Sequence, residues 1–222
     1  STVANTAQYN DNTANTVSVA AGDLMSMRYT PSGTPASSGY QSHTLLFESS
    51  DGRYPILGGT NGSNLVNSAT RYISLHSAAN AGAASTAYGQ TQAPHACTID
   101  RLYISLGAAP GAGTSYTFTL QKNGSATDVT VTISDTATTG NDTAHTIDVA
   151  EGDLLCMVVT PTGKPTATTA QWGIGVTPDT DGESWQNYRN TTNIAAGGTY
   201  IAPVEGGSLS LTSSERYTVR TP

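Results

Sequence analysis

Four histidines, His43, His76, His95 and His145, are the side chains best suited to acid–base or metal chemistry, and each stands alone. None has a second His or Cys at the spacing of a zinc site. Asp179, Asp181 and Glu183 alternate along one short stretch. Three such carboxylates could hold Ca²⁺ together with backbone carbonyls, although a solvated acidic loop is the plainer reading of so short a series. Asp23 and Asp153 each follow a glycine, Gly22 and Gly152, and neither begins an Asp-x-Asp-x-Asp series. An aspartate bonding the amides of its own turn accounts for both. There is no Gly-x-Ser-x-Gly elbow, and the Gly-rich stretch 58–62 is not followed by Lys-Ser or Lys-Thr. The expectation is a protein without catalysis, metal or cofactor. Tyr40, Tyr54, Tyr72, Trp172, Trp185 and Tyr188 have the ring faces that stack on sugars, but core and interface positions use the same residue types. Asn61, Asn123, Asn141 and Asn190 head glycosylation sequons, which a Ser/Thr-rich chain produces by chance.

These residues sit in a chain of 222 amino acids with 9 basic and 16 acidic side chains, a net charge of −7. Only 11% of residues are charged and 7% aromatic, the rest being largely Gly, Ser, Thr, Ala and Asn, a composition that favours strands over helices. Tracking a phosphate backbone requires grouped Lys and Arg, and no such group exists, so nucleic-acid binding is set aside. No apolar run nears the ~18 residues of a membrane-spanning helix, so no membrane insertion is expected, and residues 1–10 lack the regions of a signal peptide. Cys97 and Cys156 lie in apolar, strand-like runs and read equally as buried thiols or as one bridge.

The elements that carry these residues are organised by an internal repeat. Residues 13–35, TANTVSVAAGDLMSMRYTPSGTP, align without gaps on residues 143–165, TAHTIDVAEGDLLCMVVTPTGKP, with 13 of 23 positions identical. Each copy reads as a β-hairpin. Val17 and Val19, or Ile147 and Val149, alternate with a polar residue; Gly22-Asp23 or Gly152-Asp153 makes the turn; an apolar strand follows, Leu24 to Tyr29 or Leu154 to Val159. Two prolines are expected to close it. Between the copies, Thr98 to Leu106, Ser115 to Leu120 and Val129 to Ile133 read as strands, and Lys122-Asn123-Gly124 is the strongest hairpin signal in the chain. About six antiparallel strands are expected over residues 97–177. Elsewhere His43 to Glu48, Arg71 to Leu75 and Leu209 to Val219 read as strands, and Ala78 to Thr86 as a short helix or loop.

The expected fold is therefore all-β, two tandem antiparallel β-sandwiches of jelly-roll type. The first unit is placed at residues 1–93 and lacks counterparts of the strands that precede the second hairpin. The second unit is placed at 94–180, and 181–222 forms a C-terminal arm that pairs with the first unit or with a neighbour. The repeat, with CTIDRLYISLGAAPGAGTSYTFTLQKNG, resembles repeat modules of structural proteins predicted for tailed phages, which are similar in pattern to the jelly roll of the complement C1q and tumour-necrosis-factor class. That resemblance covers residues 11–48 and 94–177 and implies no functional residue. An incomplete sandwich exposes unpaired edges and an apolar face. The expectation is a structural protein of a virion surface, fibre or extracellular filament whose copies complete one another by strand pairing. Trp185, Tyr188, Tyr217 and Val219 are the candidate interface residues. The alternative is an adhesin that recognises a surface glycan.

Overall fold

The computed structural model describes residues 15–26, 28, 30, 33, 47–60, 62–76 and 82–185, to which every structural statement refers. The chain divides into two compact units, Ser1–His43 and Thr44–Pro222.

The larger unit is a β-sandwich of two antiparallel five-stranded sheets. In chain order its elements are β1 (Tyr54–Gly59), β2 (Arg71–Ile73), a single helical turn α1 (Thr86–Gly89) and β3 (Thr91–Gln92). There follow β4 (Cys97–Leu106), β5 (Gly111–Lys122), β6 (Ser125–Asp135), β7 (Thr139–Asp142), β8 (Ile147–Val149), β9 (Leu154–Thr162) and β10 (Ala170–Pro178). One sheet runs β1-β10-β4-β7, with β8 also on β4; the other runs β2-β9-β5-β6, with β3 also on β9. No helix among the described residues is long and apolar enough to cross a membrane.

Period-two patterning explains the layers. Tyr116, Phe118 and Leu120 of β5 and Val129, Val131 and Ile133 of β6 all point into the core, while the threonines between them face out. Directly opposite pairs Thr117–Thr132 and Thr119–Thr130 join hydroxyl to hydroxyl at 3.0 Å on that outer face. The turn between β5 and β6 has positive φ at both Asn123 (53°) and Gly124 (84°), the primed geometry that Asn-Gly favours. β9 lies between β5 and the short strands β2 and β3, and buries Leu155, Cys156, Met157 and Val159. In β4 the alternation slips after Ile99, because Gly175 of β10 faces Arg101 and Val176 faces Ile99. Asp100 is the extra residue of that bulge.

Four features differ from expectation. Residues 147–159, expected as a hairpin, are not one: β8 pairs with β4 in one sheet and β9 with β5, β2 and β3 in the other, so the Gly152-Asp153 turn is an arch between the two sheets. The boundary placed at 93/94 runs through the sandwich, because β1 pairs with β10, and β2 and β3 with β9. These strands bury Ile56, Ile73 and Thr91 by pairing with chain 64 to 118 residues away, which local pattern does not reveal. Pro161 does not close its strand but pairs with Tyr116. β2 reaches only to the level of Val159, so Pro161 stands where β9 has β5 on one side alone and its missing N–H leaves no ladder bond unmade. Residues 97–178 also hold seven strands where about six were expected.

Gly58 and Gly59, from the Gly-rich stretch 58–62, are the end of β1. A Cβ on Gly58 would lie 2.3 Å from Nε1 of Trp172, so only glycine lets the indole cross β1 and donate to the Leu75 carbonyl at 2.7 Å. Phe47 and Glu48 are not in a strand, and residues 43–46 and 209–219, also expected as strands, lie outside the described residues, as do residues 77–81.

Candidate functional site

The two copies of the repeat offer the most specific arrangement in the molecule. In the second, the Asp153 amide donates to the Ala150 carbonyl at 3.1 Å, and the Ala150 amide donates to Oδ2 of Asp153 at 2.9 Å. In the first, Asp23 and Ala20 make the same pair of bonds at 3.1 and 2.8 Å. Gly22 and Gly152 have φ of 88° and 89°, a region only glycine enters without strain. The turn is thus written into five or six residues and forms twice.

The packing differs. Val149 and Leu155 are buried in the sandwich (3% and 1% exposed), as is Ile147 (5%). Their counterparts Val19, Met25 and Val17 are 38%, 49% and 85% exposed. The described residues of the first copy form the turn but no strand. The second copy is also clamped from outside. Asn123 donates through Nδ2 to Oδ1 of Asp153 at 2.7 Å and accepts from the Leu154 amide at 2.8 Å, and the Lys122 ammonium donates to the Asp148 carbonyl at 2.8 Å. The Asn123 bond, then the Ala150 amide, holds the Asp153 carboxyl below its usual range.

A second cluster gathers where β1 begins and β10 finishes. The Tyr54 hydroxyl is 3.2 Å from Nε2 of His95, whose Nδ1 lies 3.0 Å from the Ala96 carbonyl and 3.6 Å from Oε2 of Glu183. Burial pushes the Tyr54 phenol well up and the Cys97 thiol to about 11, so both stay protonated near neutral pH. Arg53 braces the neighbouring bulge, donating from Nε to Oδ2 of Asp100 at 3.0 Å and pairing with Asp51. Ser49 and Arg53 together hold Asp51 at about 2.

The candidates from sequence are distributed as follows. Asp179 donates its amide to Ala96, Glu183 turns to His95, and Asp181 lies beside Gly52. Among the described residues no group of three or more His, Cys, Asp or Glu is placed to hold a metal ion, so these three carboxylates form no calcium cage. Trp185 is buried within this chain's own core. Tyr188, Tyr217 and Val219 lie outside the described residues. Cys97 and Cys156 are both buried free thiols, one in each sheet. The Asn123 clamp was legible only as a turn. Nothing in the pattern linked it to Asp153.

No family model and no curated protein matches this chain. Among solved structures it is similar to a β-(1,4)-mannanase of Podospora anserina, described as GH26-CBM35, at 14% identity and a TM-score of 0.30. That likeness covers 57% of this chain and 28% of the mannanase, so the chain spans well under half of its length.

Proposed function

We propose that this is a non-enzymatic structural protein that assembles with copies of itself through strand pairing, at a virion surface or in a fibre or extracellular filament. The supporting observation is the contrast between the two copies of the repeat: one sequence pattern, one turn, and two fates for its apolar side chains. The second copy shows what such a segment pairs with, namely a strand like β4 for its first arm in one sheet and strands like β5 and β3 for its second arm in the other. An exposed apolar segment of the same pattern is a docking element awaiting equivalent strands. Low charge density leaves little repulsion between neighbours.

Sedimentation velocity at micromolar concentration tests this reading. Assembly into species larger than one chain is expected, and Val17→Asp with Leu24→Asp should return it to the monomer. A compact, stable monomer of the unaltered chain would overturn the proposal.

A further inference from the structure

His76 follows β2, and its ring meets that of Trp185 edge to face, with centroids 4.8 Å apart and planes at 61°. Both ring nitrogens of His76 and Nε1 of Trp185 are buried without a hydrogen-bond partner. Buried polar atoms are nearly always paired, so three orphans in one contact single this place out. Trp185 nevertheless belongs to the hydrophobic core, against which Tyr54 packs. We propose that His76 and Trp185 form a proton-operated latch: protonating His76 expels Trp185 and opens the end of the sandwich where β1 begins and β10 finishes.

A neutral imidazole tolerates this dry contact better than an imidazolium, whose charge would be taken out of water. Burial accordingly depresses the His76 pKa from 6.5 to about 4, outweighing the Trp185 backbone, which favours the charged ring.

The sign follows from linkage. The pKa is lower in the closed form, so closure is fully favoured above 6.5 and is lost progressively as pH falls toward 4. No charged side chain contributes to the shift of His76. The titratable groups around Trp185 and its neighbours are Tyr54, His95, Cys97, Asp179 and Glu183. Tyr54 and Cys97 stay neutral across this range.

The test uses the full chain. Tryptophan emission, acrylamide quenching and far-ultraviolet circular dichroism are followed from above 6.5 down to 4. A red shift with quenching like that of an exposed indole is expected while the sheet signal is kept. His76→Phe keeps an aromatic ring but takes up no proton, and should abolish the change; His76→Gln serves if that variant does not fold. Trp185→Phe should abolish it too, leaving Trp172 as a constant emitter. A change that survives at a neutral residue 76, no change in the unaltered chain, or loss of the sheet signal at the same pH would each overturn the latch. None of these readouts depends on assembly, so the latch and the assembly proposal fail separately.

Discussion

The turn segment at Asn15 to Met25 and the arch from Ile147 to Leu155 are one sequence solution in two settings. Their turns agree to within 0.1 Å in both backbone-closing bonds, yet only the second buries its apolar residues. The difference separates two kinds of information. Gly and Asp fix the turn through local bonds, whatever surrounds it. Strand formation and burial depend on β4, β5 and the Asn123 clamp, which lie 30 residues or more away from Leu154 and Asp153 or reach them across the sandwich.

Substitutions at matched positions can break that comparison. Leu155→Ala should lower the unfolding free energy by about 2–5 kcal/mol in urea titrations, the ordinary range for an excavated core leucine. Its counterpart Met25→Ala should stay within about 0.5 kcal/mol, as exposed positions do. Equal losses would mean that the first copy is packed after all. Asn123→Ala should cost about 1–2 kcal/mol in the same titration, since it unties Asp153 and the Leu154 amide together. Gly152→Ala should cost about 1 kcal/mol by forcing a Cβ into positive φ. Gly22→Ala, with the same local strain, should leave the sandwich transition unmoved.

The smallest expected effect concerns acid. The Asp153 carboxyl is held below its ordinary 3.8, so the stability it contributes is present above that pH and lost as pH falls through and below it. Asp142 acts in the same direction: burial alone would raise it, but bonds from the Thr130 amide, His145 and the Ala144 amide outweigh that and lower it. Urea midpoints measured stepwise below 3.8 should fall less steeply for Asp153→Asn than for the unaltered chain.

Much of the fold was legible where strands are long and alternate. β4, β5 and β6 follow directly from their apolar periodicity, and Asn123-Gly124 from turn chemistry. β1 was hidden because glycines give no strand signal, and Gly58 is there to admit the Trp172 indole. The Asp100 bulge was hidden because a one-residue slip is visible only from the partner strand. The pairing of β1 with β10 joins residues more than a hundred positions apart, and no local signal encodes such a contact. For the same reason Trp185 read as a candidate interface residue, while the fold turns it onto His76 within the core.

The antiparallel seam between β1 and β10 places Tyr54 opposite Val176, so the start of β1 and the end of β10 lie side by side. Mechanical load applied across residues 53 and 179 would meet the rungs of that seam in succession, each bearing the whole pull before the next is touched. A zipper of this kind yields at modest force. Traction along the strand axes, which strains all rungs together, would be resisted far better, so the direction of pull decides how sturdy this module is.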